Sequence, residues 1–93
     1  GVMPLHIAAG NGDLFVAKAL LGAGAGIDAK TGEGQTPLIL AARKGRNDFT
    51  AMLIEAGADV NSVDNKQHSA LYYAAEAGFT EIVEQLLMAG AEN

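Results

Sequence analysis

The sequence predicts an all-α fold, an α-solenoid in which helix-turn-helix units stack with finger loops between them. The first reason is that apolar landmarks recur at a spacing of 33 residues, as at Leu5, Leu38 and Leu71. The second is that two glycine series keep the same step, one starting at Gly12 and the other at Gly24. A fixed period of this length is typical of repeat proteins, in which each unit buries its apolar face only against its neighbours.

The middle unit, residues 36–68, shows the clearest helix signals. Thr36 is a good N-cap, and Pro37 suits the first helical position because its missing amide hydrogen needs no partner there. Gly45 is expected to end this short first helix, since glycine accepts the left-handed conformation. A second helix is predicted from about Asn47 to Gly57. Its buried stripe, at the spacing i, i+3, i+4, i+7, is predicted to be Phe49, Met52, Leu53 and Ala56.

The other two units follow the same plan. Ser69 is the predicted cap of the first helix in the last unit. The predicted stripes of the second helices are Val16, Ala19, Leu20 and Ala23 in the first unit, and Ile82, Val83, Leu86 and Leu87 in the last. We therefore expect one domain over residues 1–93, with units at 3–35, 36–68 and 69–93, the last of them incomplete. We also expect this domain to be a piece of a longer array.

Composition excludes several classes of protein. The chain has no cysteine, which rules out disulfides and cysteine-ligated metals and favours an intracellular, cytoplasmic location. Its uncharged apolar stretches are far shorter than the roughly 18 residues that a membrane span needs, so no membrane insertion is expected. The net charge is −5, and residues 69–93 contain four glutamates and no basic residue. Nucleic acid is excluded as a partner, because binding phosphates requires a basic face.

These motifs together resemble the ankyrin repeat family along essentially the whole chain. The motifs that carry the resemblance are Met3-Pro4-Leu5-His6-Ile7-Ala8-Ala9, Thr36-Pro37-Leu38 with Ala41-Ala42, and Gly57-Ala58-Asp59-Val60-Asn61. The resemblance implies about three repeats that bind another protein on a concave face. It also implies that His6 hydrogen-bonds to the neighbouring finger. Met3 departs from the family pattern, which has a capping threonine at this position.

Gln67 is a second departure from the family pattern. The resemblance places a glycine of the finger turn at this position, as Gly34 does one unit earlier. If the turn is left-handed, Gln67 carries backbone strain of about 1 kcal/mol or more. Substituting Gln67→Gly is then expected to raise the melting temperature.

No residues form a pattern typical of a catalytic, metal or cofactor site. His6 and His68 have no serine or aspartate partner at a recognisable spacing, so neither is expected to be a general base. The segment 24–31 is similar to a phosphate-binding loop, but Ala29 replaces the glycine before Lys30, and a predicted helix precedes it where the loop needs a strand. We therefore expect no catalytic residue, no metal and no cofactor, and we expect that the chain is not an enzyme.

The remaining candidates lie on the surface. By motif position, the resemblance implies that the partner-binding residues are Lys30, Gly32, Glu33, Gln35, Arg43, Lys44, Asn65, Lys66, His68 and Glu76. Four of them, Lys30, Arg43, Lys44 and Lys66, are expected to form a basic centre that binds an acidic or phosphorylated segment, with Arg43 as a bidentate donor. The alternative is a solvated charge cluster. Tyr72 and Tyr73 are expected to divide between the core and the rim of this surface.

The predicted function is therefore a protein-protein interaction module or scaffold, acting as a monomer. Two alternatives stay open. The chain can be a regulatory or substrate-positioning part of a larger enzyme, or a passive spacer with no partner. The resemblance adds one modification: Asn61 matches the finger asparagine that asparaginyl hydroxylases act on in the family.

Overall fold

A computed structural model describes residues 4–91, which form three consecutive pairs of helices. In chain order the helices are α1 (Pro4–Asn11), α2 (Leu14–Gly22), α3 (Pro37–Lys44), α4 (Asn47–Glu55), α5 (Ala70–Ala77) and α6 (Thr80–Met88). The first helix of each pair packs in one layer, with α3 between α1 and α5, and the second helices form the other layer, with α4 between α2 and α6. The predicted all-α solenoid is confirmed, since residues 4–91 contain an isolated bridge between Val63 and Ser69 but no strand.

The helix ends follow the signals in the sequence. The hydroxyl of Thr36 accepts a hydrogen bond from the third amide of α3 at 3.2 Å, and that of Ser69 does the same for α5 at 3.3 Å. These bonds satisfy amides that have no partner within the helix. The helices α3 and α5 both end at a glycine in the left-handed conformation, Gly45 and Gly78. The predicted departure at Met3 lies outside the described residues.

Two tight turns project from the stack between the pairs, and they repeat each other bond for bond. In the first finger turn, residues 31–35, the amide of Thr31 donates to the carbonyl of Gln35 at 3.0 Å. In the second finger turn, residues 64–68, the amide of Asp64 donates to the carbonyl of His68 at the same distance. Equivalent backbone bonds 33 residues apart are what a translational repeat requires.

The fourth position of each finger turn is left-handed, as expected for Gln67. Gln67 has a φ of 66° and is the one non-glycine residue of positive φ within residues 4–91. Its counterpart Gly34 has a φ of 81°, and a Cβ at Gly34 would lie 2.5 Å from the side-chain oxygen of Asn65. The two sites therefore share a conformation, but only Gly34 is also closely covered by a neighbouring turn.

Substituting Gln67→Gly is expected to raise the melting temperature by about 2–4 °C. The change relieves about 1 kcal/mol or more of left-handed strain, and the larger conformational freedom of unfolded glycine cancels part of this gain. Thermal unfolding followed by circular dichroism measures the effect. The reciprocal change Gly34→Gln is the matched control, and it should lower the melting temperature because of the contact with Asn65. An unchanged or lower value for Gln67→Gly would show that the turn is unstrained.

Burial confirms four residues of the predicted stripes, and five other stripe residues are exposed. Phe49, Leu53, Ile82 and Leu86 are fully buried as predicted, and they join the two layers. The predictions for Val16, Ala19, Ala23, Ala56 and Leu87 are wrong, since these side chains are exposed. Ala56 lies at the C-cap of α4, while Val16, Ala19 and Ala23 belong to the unit at one end of the described residues, where α1 and α2 pack against α3 and α4. On α2 the fully buried residue is Ala17.

Candidate functional site

A groove of about 490 Å³ lies between the two finger turns and the helices α3 and α5. Eleven residues line it: Gly32, Glu33, Gln35, Arg43, Asp64, Asn65, Lys66, His68, Tyr72, Tyr73 and Glu76. Eight of the ten predicted partner-binding residues are among them. The two that lie elsewhere are Lys30 and Lys44.

The predicted basic centre of four residues is divided in the structure. The ammonium group of Lys30 donates to the carbonyl of Val63 at 3.0 Å, which attaches it to the next finger. Lys44 is exposed in the last turn of α3 and is not among the residues that line the groove. Arg43 and Lys66 remain in the groove, where Glu33, Asp64 and Glu76 also lie. The groove therefore carries both signs of charge.

Asp64 forms the floor of the groove and holds its parts together. Its side chain is only 3% exposed, yet both oxygens are fully used. One oxygen accepts from the backbone amides of Lys66 and His68, at 2.9 and 3.0 Å. The other accepts from the side-chain amide of Gln35 at 3.4 Å and from the hydroxyl of Tyr73. Asp64 thus joins the second finger turn to α5 and to the first finger turn.

These contacts determine the protonation of the pair formed by Asp64 and Tyr73. Burial alone would raise the pKa of Asp64, but the hydrogen bonds from Tyr73, the two backbone amides and Gln35 together lower it to about 2. The hydrogen bond to the carboxylate, with burial as a second cause, raises the pKa of Tyr73 above its ordinary value. At neutral pH Asp64 is therefore ionised and Tyr73 is protonated. With its oxygens already paired, Asp64 is a structural group rather than a ligand for a partner.

Arg43 is held in place by uncharged groups. One terminal nitrogen of its guanidinium donates to the side-chain oxygen of Gln35 at 2.8 Å. The guanidinium carbon lies 5.1 Å from the centre of the Tyr73 ring, within the range of a cation–π contact. A neutral acceptor and a ring orient the guanidinium without cancelling its charge. Arg43 is therefore ready to bind an anion with little loss of side-chain freedom.

Stacked rings form the wall of the groove beside Glu76. The rings of His68 and Tyr72 stack with centres 3.8 Å apart, and Tyr73 packs edge-on against both. The hydroxyl of Tyr72 donates to Glu76 at 3.0 Å, and this bond raises the pKa of Tyr72. The expected division of the two tyrosines agrees with the structure, because Tyr73 is half-buried and Tyr72 is exposed.

Hydrogen bonds join the two finger turns to one another along the rim of the groove. The amide of Asn65 donates to the carbonyl of Glu33 at 3.0 Å, and its side chain donates to the carbonyl of Gly32 at 3.1 Å. Further down, the amide of Asp59 donates to the side chain of Asp28 at 2.9 Å. Residues of neighbouring units that are 33 positions apart, or nearly so, thus lie side by side.

Sequence reasoning missed the role of Asp64. A usable signal was present, since Asp64 occupies the position of Thr31, whose hydroxyl accepts from the amides of Glu33 and Gln35 at 3.2 Å each. Side chains of both types start turns by accepting from the next amides. Comparing the two units position by position therefore indicates the hydrogen bonds within the turn. It does not indicate the second carboxylate oxygen, which reaches Tyr73.

The other candidates are placed as follows. His6 is buried and its Nε2 donates to the carbonyl of Ala29 at 2.7 Å, which confirms the predicted bond to the finger.

Lys30 is followed by the first finger turn, so the segment 24–31 lacks the helix that phosphate binding needs. Within residues 4–91 no three histidine or carboxylate side chains gather as a metal site. Asn61 is exposed, and its hydroxylation stays a prediction.

Comparison with known proteins agrees with the geometry. The family model for ankyrin repeats in three copies matches residues 5–93. A search of the curated proteins finds no match to the chain. Of the helices that the structure describes, none has the length and apolar character needed to cross a bilayer.

Proposed function

The chain belongs to the ankyrin repeat family, and on this premise we propose that it is a non-catalytic module that binds another protein in the groove between its finger turns and first helices. Ankyrin repeats are in general protein-protein interaction modules, and the family is typically non-catalytic. The proposal adds the face that binds, its residues and the chemistry of the partner.

One observation supports the groove above other surfaces: its framework repeats between units while its lining changes. The backbone bonds of the two finger turns are the same. At equivalent positions, however, Glu33 is replaced by Lys66, and Arg43 by Glu76. A fixed frame with side chains of opposite charge at matched positions suits selective recognition better than a passive spacer, which needs no such differences.

The orientation of Arg43 favours an acidic or phosphorylated group on the partner. Its planar guanidinium can donate two parallel hydrogen bonds to a carboxylate or phosphate, and it is already held by Gln35 and Tyr73. Lys66 lies on the same groove and adds a second positive charge. The stacked rings of His68 and Tyr72 offer an apolar surface beside these charges. The predicted partner segment therefore combines an anionic residue with an adjacent apolar one.

Selection from a displayed library of random peptides, followed by fluorescence titration with synthetic phosphorylated and unphosphorylated forms, tests the proposal. The enriched peptides are expected to share an acidic residue. Arg43→Lys should weaken their binding by about tenfold, because lysine cannot form the bidentate pair. Lys66→Glu should weaken it as well, and Lys44→Glu is the matched control, since Lys44 is an exposed cation outside the groove.

Two results would count against the proposal. Enriched peptides that bind the Arg43→Lys and Lys66→Glu variants as well as the parent would place binding on another face. A library that yields no binder would favour the spacer alternative.

A further inference from the structure

Glu76 lines the groove, yet the binding of an anion at Arg43 gives it no role. It lies in the last turn of α5, where one of its oxygens accepts from the hydroxyl of Tyr72 at 3.0 Å. The hydroxyl is an uncharged donor, so the carboxylate keeps its charge. Its second oxygen makes no hydrogen bond to any described residue. Glu76 therefore presents an oriented negative charge to the groove.

Arg43 is oriented in the same manner but carries the opposite charge. The side chain of Gln35 and the ring of Tyr73 hold its guanidinium group, and both are uncharged at neutral pH. Arg43 and Glu76 occupy the same position of the repeat, on the neighbouring helices α3 and α5. Among the described residues, no salt bridge joins these two side chains or involves either of them. The helix side of the groove thus carries two opposite charges, each held by uncharged groups.

The finger side of the groove carries the same two charges in the reverse order. Glu33 in the first finger turn and Lys66 in the second are equivalent positions, and both are exposed. Asn65 holds the two turns side by side through its hydrogen bonds to the carbonyls of Gly32 and Glu33. From the middle unit to the last, the charge therefore changes from negative to positive along the fingers and from positive to negative along the helices.

The exposure of Glu76 does not depend on its place in the last unit. Its equivalent Arg43 is exposed as well, although the middle unit packs against a unit on either side. This position of the repeat therefore faces the groove rather than a neighbouring unit.

We propose that the groove recognises a segment with charges of both signs, in which an acidic side chain binds Arg43 and a lysine or arginine side chain binds Glu76. This inference rests on the proposed function and specifies its partner. Neighbouring helices have axes about 8–10 Å apart, and an extended chain advances about 3.3 Å per residue. The two charged residues of the partner are therefore about three positions apart. A purely acidic segment is disfavoured, because it brings a second negative charge to Glu76.

Glu76→Gln tests the proposal, because glutamine still accepts from Tyr72 but carries no charge. The probes are peptides selected on the parent chain by display, each also synthesised with glutamine in place of its basic residue. In fluorescence titrations, Glu76→Gln should weaken binding of the basic form by about threefold to fivefold, as for an exposed ion pair. It should leave the affinity of the glutamine form unchanged. Comparing the two forms isolates the ion pair from other effects of the substitution.

Glu84→Gln is the matched control. Glu84 is an exposed glutamate of the last unit that does not line the groove, so this variant has the same net charge as Glu76→Gln. It should bind both peptide forms as the parent chain does. All these variants should melt at the temperature of the parent chain, since both side chains are exposed.

A second selection, on the charge-reversed variant Glu76→Lys, tests the same contact independently. The enriched peptides should now carry an acidic residue where those selected on the parent chain carry a basic one. Enrichment of the same peptides on both chains would overturn the proposal.

The outcomes separate this inference from the proposed function. Peptides that lack a basic residue near the acidic one would overturn the inference, as would a Glu76→Gln variant that binds both peptide forms unchanged or weakens both equally. The proposed function would still stand in these cases if Arg43→Lys weakens binding. If Arg43→Lys has no effect, or if no peptide is enriched, the proposed function fails and the inference fails with it.

Discussion

Phe49→Ala is expected to lower the free energy of unfolding by about 4 kcal/mol, which is a large part of the stability of a domain of this size. Phe49 is a fully buried side chain on α4, the helix that lies between the second helices of the outer units. Truncation removes its apolar surface from the core and leaves a cavity that rigid helices on both sides cannot close. The midpoint of urea unfolding, with the slope checked for constancy, measures the loss.

Val16→Ala is the matched control, because Val16 holds the same position of the repeat in the first unit but is 41% exposed. Its cost is expected to be within about 1 kcal/mol, since an exposed side chain has little burial to lose. Equal losses for the two variants would contradict the premise that contact with a preceding unit, rather than position in the helix, buries this site. Weaker packing of α4 in the Phe49→Ala variant would also disturb α3, the helix that carries Arg43 on one side of the groove.

The period of the sequence could predict whatever the units have in common. The caps Thr36 and Ser69 and the left-handed turn at Gln67 all follow from local signals that recur after 33 residues. Such signals depend on a residue and its near neighbours in the chain, so one unit is enough to interpret them. The same holds for the bond of His6 to its finger, which a family motif implied.

What differs between units could not be predicted in the same way. The stripe of the first unit was wrong at Val16: a repeat indicates which positions can face a neighbouring unit, but among the described residues Val16 is 41% exposed whereas its equivalent Phe49 is 1% exposed. The basic centre stays a prediction as a group, and the sequence did not indicate that Lys30 bonds to a carbonyl of the next finger. Asp64 reaches Tyr73 and Gln35 through contacts that its equivalent Thr31 does not make among the described residues. Those contacts, rather than the shared framework, shape the groove.

Asp64→Ala is expected to lower the free energy of unfolding by about 3 kcal/mol at neutral pH. The change leaves the hydroxyl of Tyr73 and two amides of the second finger turn without their acceptor, and each partly buried donor that loses its partner is costly. It should also loosen Arg43, because Gln35 and Tyr73, which orient its guanidinium, both donate to Asp64. Peptides selected on the parent chain should therefore bind the variant weakly even at temperatures where it is folded.

The pH dependence of stability identifies the charge of Asp64 as the cause. Its pKa in the folded protein is about 2, below the ordinary 3.8, so the stability that it contributes is present above pH 3.8 and is lost as pH falls toward 2. The loss amounts to about 2 kcal/mol. Asp64→Asn keeps the shape of the side chain but cannot titrate, and this part of the acid unfolding curve should be absent from it.

Two further variants separate this effect from the general protonation of carboxylates. Asp48→Asn removes an exposed aspartate on α4 and should leave the loss of stability between pH 3.8 and pH 2 unchanged. Tyr73→Phe removes one donor to Asp64, so the pKa of Asp64 should rise and the loss of stability should begin at a higher pH. If the Asp64→Asn variant loses stability below pH 3.8 as the parent chain does, another carboxylate is responsible for the loss. The buried charge of Asp64 is then not what joins the second finger turn to α5.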